Sequence, residues 1–314
     1  MKTVSLIIPA YNEQESLAPL YTQLCQLMNE HQEYLWEVLF INDGSRDNTG
    51  AIIEQYIEQD KRIAMVDLSR NFGKEAAMLA GFDYAIGDCA IILDADLQHP
   101  LSTIPEMLKY WEEGYEDVYA RRRSRGDASA LRKMFSKCYY SLLQHTSDID
   151  VLPDVGDFRL LDRKCIEVLK QLRENCRYTK GLYAWIGFKK KEIFCDQQER
   201  VAGTSKWSFF GLLNLAIEGL TSFSISPLRF SSILGCIISV VAFIYMIIII
   251  AKTLIWGDPV AGYPSLMCII LFLGGIQLLS LGIIGEYLGR IFNETKNRPT
   301  YIAREYKKRD NAQA

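Results

Sequence analysis

Residues 90–98 read Ala90-Ile91-Ile92-Leu93-Asp94-Ala95-Asp96-Leu97-Gln98, an apolar run that ends in an acidic motif. Such a run is typical of a buried strand whose last residue meets a polar edge. In an extended chain, residues 94, 96 and 98 would point to one side. Two carboxylates and an amide oxygen would then converge, and this all-oxygen set suits Mg²⁺ or Mn²⁺. The stretch therefore predicts a strand that leads into a metal site formed by Asp94, Asp96 and Gln98.

On both sides of this stretch, apolar strand-like runs alternate with amphipathic helical ones over the first 120 residues. The alternation predicts an α/β fold with a mainly parallel sheet covered on both faces. Sheets of this kind bind ligands beyond the carboxyl ends of their strands. The predicted strands are 4–9, 38–41, 63–68, 90–93 and 118–120, and the predicted helices are 16–30, 49–59, 74–85 and 103–111.

Polar clusters follow three of the predicted strands. Tyr11-Asn12-Glu13 follows the first strand, Asn42-Asp43-Gly44-Ser45 the second, and Asp94-Ala95-Asp96 the fourth. Neither glycine-rich phosphate loop, G-x-G-x-x-G or G-x-x-x-x-G-K-[ST], occurs in the chain. A nucleotide at this edge would need another way to neutralise its phosphates, and a carboxylate-held metal is the obvious one. An Asp-x-Asp pair alone is common in turns, so its position beside the other two clusters is what indicates a metal.

The composition excludes several classes of protein. The net charge is −3, so no basic field points to nucleic acid. The eight cysteines form no C-x-x-C pair, which argues against a disulfide framework or zinc site and favours a reducing compartment. Three histidines exclude a His-rich metal site. Pro9 breaks the first apolar run and Glu13 follows, unlike a signal peptide, so the soluble part is expected in the cytoplasm.

Two stretches, 230–251 and 265–285, contain no charged residue. Each has about the 20 residues that a helix needs to cross a membrane, whereas a buried helix of a soluble core rarely lacks charge for so long. Basic residues lie outside the pair, so both termini and the soluble domain are predicted to be cytoplasmic. Gly285 and Gly289 allow close packing of the second span. The partner could be the first span, another subunit or another protein, which leaves a homo-oligomer open.

Seven short motifs lie along the chain in order: IPAYNE at 8–13, NDGS at 42–45, NFGK at 71–74, DADLQ at 94–98, VGDFR at 155–159, GTSK at 203–206 and GEYLGR at 285–290. With the two terminal spans, they resemble the polyprenyl-phosphate glycosyltransferases of family 2, GT-A type. The resemblance covers nearly the whole chain. It is closest to the bactoprenol glucosyl- or N-acetylglucosaminyltransferases and extends to the dolichol-phosphate mannose synthases.

The resemblance implies a Rossmann-like GT-A domain that transfers a sugar, with a UDP-sugar as the favoured donor, Mg²⁺ or Mn²⁺ as cofactor, and undecaprenyl or another polyprenyl phosphate as acceptor. It implies catalytic roles for Asp94, Asp96 and Asp157, and metal binding by Asp94, Asp96 and Gln98. Asp43 could instead be a turn residue, Lys74 a solvated helix residue and Asp157 a loop residue that bonds local backbone. The implied nucleotide-binding residues are Pro9, Tyr11, Glu13, Asp43 and Lys74.

A basic stretch lies where the acceptor phosphate would bind. Residues 121–125 carry four arginines, and 131–142 reads as a basic amphipathic helix suited to the headgroup layer, although an ordinary surface helix has the same pattern. Residues 207–220 give a second apolar stripe, either interfacial or packed in a core. The resemblance implies that Arg122, Arg132, Ser136 and Lys206 hold the acceptor phosphate, and the neighbouring Arg121 and Arg123 leave the first assignment open by one residue.

The predicted organisation has four parts: a nucleotide-sugar half at 1–125, an acceptor half with amphipathic interfacial helices at 126–228, a two-helix transmembrane hairpin at 229–290 and a basic cytoplasmic tail at 291–314. The expected reaction is inverting transfer of glucose or N-acetylglucosamine at the cytoplasmic membrane face, for cell-envelope glycan modification. One rival is a processive polysaccharide synthase, but its Q-x-x-R-W motif is lacking, since 197–201 reads QQERV. The other rival is a non-catalytic membrane subunit that binds nucleotide sugar.

Overall fold

An eight-stranded sheet with helices on both faces is the centre of the computed structural model, which describes residues 1–122, 155–175, 177–195, 226–256 and 262–308. Every strand and helix predicted within the first 120 residues has a counterpart, with bounds that differ by a few residues at most. The strands are β1 Thr3–Ala10, β2 Leu35–Asn42, β3 Ile63–Leu68, β4 Cys89–Ile92, β5 Asp117–Arg122, β6 Val155–Asp162, β7 Lys190–Cys195 and β8 Ala303–Lys308. The α-helices are α1 Leu17–Glu30, α2 Thr49–Gln59, α3 Lys74–Tyr84, α4 Ile104–Glu112, α5 Arg163–Gln171, α6 Thr179–Trp185, α7 Ser226–Trp256 and α8 Tyr263–Thr295.

The sheet is mixed: six of its eight strands run in one direction, in line with the predicted mainly parallel sheet, and two run against them. Its strand order is β7-β5-β6-β4-β1-β2-β3-β8. The central strands β4, β1, β2 and β3 pair in parallel as predicted, and β5 pairs in parallel with β7. Strand β6 is inserted antiparallel between β4 and β5, and β8 lies antiparallel against β3. The α/β architecture is thus confirmed, while the two later strands arrive in the opposite direction.

Two apolar clusters, one on each face of the sheet, hold the helices in place. In β1, Leu6 and Ile8 pack with α1, α2 and α4, whereas Ile7 packs with α3, α5 and α6. Because successive strand residues point to opposite faces, a strand covered on both sides must be apolar throughout. This explains the unbroken apolar run at the start of the chain. It also fixes the carboxyl ends of β1, β2 and β4 as one rigid edge.

The predicted basic tail at 291–314 is partly structural. Residues Ala303–Lys308 form β8, and Lys307 Nζ lies 2.5 Å from Glu54 Oε1 on α2. Just before β8, the Tyr301 hydroxyl donates to Asp83 Oδ2 at 2.6 Å. Lys307 and Tyr301 of the predicted basic cytoplasmic tail therefore bind side chains of the helices beside the sheet. Edge pairing of this kind leaves no local pattern, because the partner strand lies far away in sequence.

The two C-terminal helices, α7 and α8, pack against each other. Among the residues that the structure describes, only Phe272–Thr295 is long and apolar enough to cross a membrane, and Phe230–Tyr245 is a shorter apolar stretch. The helix α8 continues beyond the predicted span at 265–285 to Thr295, and this added part carries Glu286, Arg290 and Glu294. A pair of transmembrane spans remains a prediction.

The glycines of α8 have open space around them. A Cβ atom added at Gly285 or Gly289 would meet nothing within 4 Å among the described residues. Close packing at these two glycines is therefore not seen among the described residues. The homo-oligomer also stays a prediction.

Candidate active site at the carboxyl edge of the sheet

The acidic motif forms a turn directly after β4. Leu97 has a φ of 61°, and the backbone N–H of Gln98 donates to Asp96 Oδ1 at 3.1 Å. The extended geometry predicted for 94–98 is therefore wrong, because an aspartate side chain readily bonds the backbone two residues ahead and closes a turn. The exposure still alternates, since Asp94, Asp96 and Gln98 are partly exposed while the residues between them are buried. The three predicted metal ligands thus share one turn.

The centre of the site is the ammonium group of Lys74, which bridges two predicted catalytic carboxylates. Its Nζ lies 2.6 Å from Asp94 Oδ1 and 2.7 Å from Asp157 Oδ2. Lys74 begins α3, Asp94 follows β4, and Asp157 lies in β6. Three motifs that are distant in sequence therefore meet at one point. This geometry excludes a merely solvated Lys74, and it shows that Asp157 bonds more than local backbone.

One oxygen of Asp157 remains unused. Its side chain is only 12% exposed, and Oδ1 is buried without a hydrogen-bond partner among the described residues. A buried carboxylate oxygen without a partner costs free energy unless a ligand supplies the missing contact. Asp157 is therefore suited to accept a hydrogen bond from a bound molecule.

The charges of these three groups depend on one another. Burial by itself raises the pKa of Asp94, but Lys74 and then His99 outweigh burial and hold this pKa well below its usual range. For Asp157, burial is likewise outweighed, chiefly by Lys74, and its pKa is lowered. Burial opposes the charge of Lys74, yet the two carboxylates raise its pKa. Two carboxylates and one ammonium therefore leave a single negative charge at neutral pH.

A pH prediction follows for the metal-free protein in EDTA. The variant Lys74→Met should melt at a lower temperature than the wild type at pH 7, because two carboxylates are left without their cation. Depressed carboxyl pKa values stabilise the fold above the ordinary value of about 4, and this contribution is lost as pH falls through the folded-state values. Because the pKa of Lys74 is raised, its positive charge stabilises the fold up to at least about pH 10, and this contribution is lost only at higher pH. Thermal unfolding across this range should show the gap between the two proteins shrinking below about pH 4; a gap that stays constant in acid would contradict the assignment.

His99 is a site residue that was not singled out from the sequence. It is 6% exposed, its ring stacks on Phe158 with 4.8 Å between centroids, and Nε2 lies 3.5 Å from Asp94 Oδ2. Asp94 is thus held by Lys74 through one oxygen and faces His99 with the other. The sequence signal that could have identified His99 is its position directly after the DADLQ motif.

Glu75 and Thr179 form a second unforeseen contact beside the site. The partly buried carboxylate of Glu75 accepts from the backbone N–H of Thr179 at 3.0 Å and also from its hydroxyl. Burial, and then the nearby Asp157, raises the pKa of Glu75. This contact ties the first turn of α3 to the start of α6. It fixes the helix that carries Lys74, and nothing in the local sequence indicates it.

Asp43, predicted to bind nucleotide, serves the loop that leads to Lys74. It is 3% exposed, and its two oxygens accept the backbone N–H groups of Phe72 at 2.7 Å and Gly73 at 2.9 Å. The next residue, Gly44, has a φ of 63°, and any Cβ there would collide with the Arg70 backbone. The NDGS motif therefore packs tightly on the NFGK motif. The Asp43 carboxylate therefore holds the loop before α3 rather than closing its own turn. Its nucleotide role stays a prediction.

The other predicted nucleotide residues end β1. Pro9 and Tyr11 are partly exposed, and Glu13 Oε2 accepts the Ser16 hydroxyl at 2.8 Å. Asn12 has a φ of 55°, which turns the chain away from the sheet. These residues lie at the same carboxyl edge as Asp94, because β1 and β4 are parallel neighbours. Binding of a nucleotide by Pro9, Tyr11 and Glu13 remains a prediction.

A cleft of about 440 Å³ opens at this edge, between the ends of β2 and β3 and helix α2. Pockets for small molecules usually have volumes of roughly 300–1,000 Å³. Polar groups of the NDGS and NFGK motifs line it, together with Arg46, Arg70 and Arg304. None of the predicted nucleotide residues lines the cleft. The cleft therefore brings three arginines to the candidate site that were not among the predicted site residues. One of them, Arg304, comes from β8.

The predicted acceptor site lies mostly outside the described residues. This applies to Arg132, Ser136, Lys206 and both predicted interfacial helices, and also to the side chain of Arg122 at the end of β5. The neighbouring Arg121 is described, and its guanidinium pairs with Glu192 Oε1 at 3.2 Å. Arg121 is thus engaged on the sheet, and the acceptor assignments remain predictions.

Comparison with known proteins gives two family matches. The model described as "Glycosyl transferase family 2" matches residues 5–169, and the model described as "GtrB C-terminal hairpin" matches residues 226–291. The first match contains Lys74, Asp94 and Asp157. The second covers α7 and most of α8.

Proteins from several bacteria are similar over nearly the whole of this chain. The SfII prophage-derived bactoprenol glucosyl transferase of Shigella flexneri is 41% identical over 302 residues, covering 96% of this chain and 97% of that protein. The prophage bactoprenol glucosyl transferase homolog of Escherichia coli K12 is 41% identical over 305 residues, covering 97% of this chain and 99% of that protein. The putative glycosyltransferase CsbB of Bacillus subtilis is 45% identical over 303 residues, covering 96% and 91%. Among solved structures, that of S. aureus TarS 1-349 in complex with UDP-GlcNAc has a TM-score of 0.45 and 16% identity, covering 69% of this chain and 66% of that one.

Proposed function

Because this chain belongs to glycosyl transferase family 2, we propose that it transfers a sugar from a nucleotide sugar to a polyprenyl phosphate at the cytoplasmic face of a membrane. The observation that carries the proposal is the meeting of Lys74, Asp94 and Asp157 at the carboxyl edge of the sheet. Glucose is the favoured sugar and undecaprenyl phosphate the favoured acceptor, because one relative is named a bactoprenol glucosyl transferase and another a homolog of one. N-acetylglucosamine is the second candidate sugar.

The donor, a UDP-sugar in this proposal, places its diphosphate beside Lys74. The ammonium group supplies a positive charge that two negatively charged phosphates need, and this charge is already fixed at the site by Asp94 and Asp157. Asp43 holds the loop before Lys74, so the lysine backbone does not have to be ordered when the donor binds. Pro9, Tyr11 and Glu13 at the end of β1 are the proposed contacts to the nucleoside.

The turn after β4 fits a divalent metal. Its donor set is two carboxylates and an amide, Asp94, Asp96 and Gln98, and Asp94 already holds a cation in the form of the Lys74 ammonium. We assign these three residues as the ligands of Mg²⁺ or Mn²⁺. When bound, the metal would neutralise charge on the diphosphate leaving group.

The acceptor phosphate is ionised near neutral pH, so it requires alignment and relief from repulsion more than a general base. Its oxygen attacks the anomeric carbon while the bond from that carbon to the donor diphosphate breaks, which inverts the configuration. The unpartnered Oδ1 of Asp157 accepts a hydrogen bond from the sugar and orients it for this displacement. Arg122, Arg132, Ser136 and Lys206 are the proposed contacts to the acceptor phosphate.

The membrane attachment follows from the C-terminal helices. We propose that α7 and α8 cross the membrane as a hairpin with both ends in the cytoplasm, since basic residues flank the pair and the connecting segment is short. After α8, β8 returns to the sheet, so the catalytic domain is joined to the hairpin at both the start of α7 and the end of α8. The lipid-linked sugar would then form at the cytoplasmic face and supply modification of a cell-envelope glycan.

A donor comparison tests this function. Full-length protein in detergent is given undecaprenyl phosphate with UDP-glucose, UDP-N-acetylglucosamine or GDP-mannose, each with and without Mn²⁺, and the release of nucleoside diphosphate is measured. We expect release that depends on the lipid phosphate and is fastest with UDP-glucose plus Mn²⁺. Binding of the donor without lipid-dependent release would instead indicate a non-catalytic subunit, and a sugar polymer as product would indicate a polysaccharide synthase.

A further inference from the structure

We infer that Lys74 is a tethered cation that holds Asp94 and Asp157 together in the absence of substrate and competes with the divalent metal for Asp94 until a diphosphate arrives. The inference rests on the proposed function, since it concerns the same site. It adds a role for one residue and an order of binding, in which the metal enters with the nucleotide rather than before it.

The contacts of Lys74 are those of a bound cation. The ammonium group lies within 2.7 Å of an oxygen of each carboxylate, and Asp94 is a proposed metal ligand. A metal that binds Asp94 Oδ1 would be repelled strongly by this ammonium at contact distance, so the two cations compete for the oxygen. The metal alone therefore has to break a charge-assisted contact before it gains its own.

The backbone around Lys74 is fixed while its side chain has room to move. Asp43 binds the N–H groups of Phe72 and Gly73 on one side, and Glu75 binds Thr179 on the other. The side chain of Lys74 is nevertheless 42% exposed. A flexible lysine stem on an anchored backbone can exchange one anionic partner for another without moving α3.

The exchange is favourable only when a diphosphate is present. Without it, removing the ammonium from between Asp94 and Asp157 leaves two carboxylates to repel each other, Asp157 with one oxygen already unpartnered. With a diphosphate in place, the ammonium gains phosphate oxygens and releases Asp94 to the metal. Metal and nucleotide thus bind cooperatively through Lys74.

The test measures Mn²⁺ binding by the free-ion EPR signal, using full-length protein in detergent without nucleotide. Lys74→Met and Lys74→Gln should bind Mn²⁺ alone about tenfold more tightly than the wild type, the factor that one charge-assisted contact represents. Lys74→Arg, which keeps the charge, should resemble the wild type. In the presence of UDP the order should reverse, with the Met and Gln variants binding Mn²⁺ more weakly than the wild type.

Lys164→Met is the matched control. Lys164 is 74% exposed and pairs with Glu116 at 3.7 Å, so its removal changes the net charge equally without touching the site. Mn²⁺ affinity in this control should equal that of the wild type. Unchanged or weaker binding of Mn²⁺ alone by both folded Lys74 variants, with folding checked by thermal melting, would overturn the inference. Because no turnover is measured, a wild type that fails to transfer sugar would overturn the proposed function and leave the Lys74 result standing.

Discussion

Replacing Asp94 with asparagine is expected to lower the rate of sugar transfer by roughly two to three orders of magnitude, the loss typical of removing one preorganised charged contact from an active site. Asp94 contacts Lys74 through one oxygen and faces His99 with the other, and it is a proposed metal ligand. The asparagine amide keeps the shape of the side chain but lacks the negative charge that binds the Lys74 ammonium and the proposed metal. The effect should therefore appear in kcat with little change in folding.

Asp88→Asn is the control for this variant. Asp88 precedes β4 and Asp94 follows it, so the two aspartates lie at opposite ends of one strand. Asp88 is exposed and its Oδ2 accepts the Thr3 N–H at 2.7 Å, a contact that asparagine can keep. Transfer rates are compared in the same detergent and lipid. An Asp94→Asn protein as active as the Asp88→Asn protein would contradict the assignment of the active site.

Replacing Arg159 with methionine is expected to lower the free energy of unfolding by about 3–5 kcal/mol, the usual cost of breaking a buried ion pair from one side. Arg159 NH1 lies 3.0 Å from Asp117 Oδ2, and these side chains are 5% and 0% exposed. The guanidinium also stacks over Tyr183 at 3.7 Å. Burial, only partly offset by Arg159, already raises the pKa of Asp117. Without Arg159, this carboxyl would have to be buried alone or be protonated.

The measurement is denaturant unfolding followed by circular dichroism in one detergent. A double variant, Arg159→Met with Asp117→Leu, should recover much of the loss, because the unpaired carboxylate is then gone. The pair joins β5 to β6, two residues from Asp157, so the single variant should also lose activity. A loss of less than about 1 kcal/mol, the size of an exposed pair, would show that the ion pair does not stabilise this part of the sheet.

The sequence predicts the part of the fold that depends on local pattern. Apolar runs separated by amphipathic helices locate β1 to β5, and polar clusters after the strands locate the edge at which Lys74, Asp94 and Asp157 meet. The same pattern predicts the wrong backbone geometry for residues 94–98. Alternating residues indicate an extended chain, whereas Asp96 accepts the N–H of Gln98 and Leu97 takes a positive φ, so the chain turns.

The features that the sequence does not reveal depend on partners far away in the chain. Strand β8 pairs with β3, Glu75 meets Thr179, and β6 enters the sheet antiparallel. None of these contacts produces a periodic pattern in the sequence, since each residue that takes part would also be compatible with a solvent-exposed surface. His99 is different, because it directly follows the acidic motif and a chemical argument about Asp94 could have included it.

The measurement that tests the central claim most directly is mass spectrometry of the lipid after the purified full-length protein has been incubated with undecaprenyl phosphate, UDP-glucose and Mn²⁺. The proposed function predicts undecaprenyl phosphate that has gained a single hexose, formed by the wild type and by Asp88→Asn and nearly absent with Asp94→Asn. A lipid that gains no sugar from any nucleotide sugar while the wild type still binds the donor would contradict it.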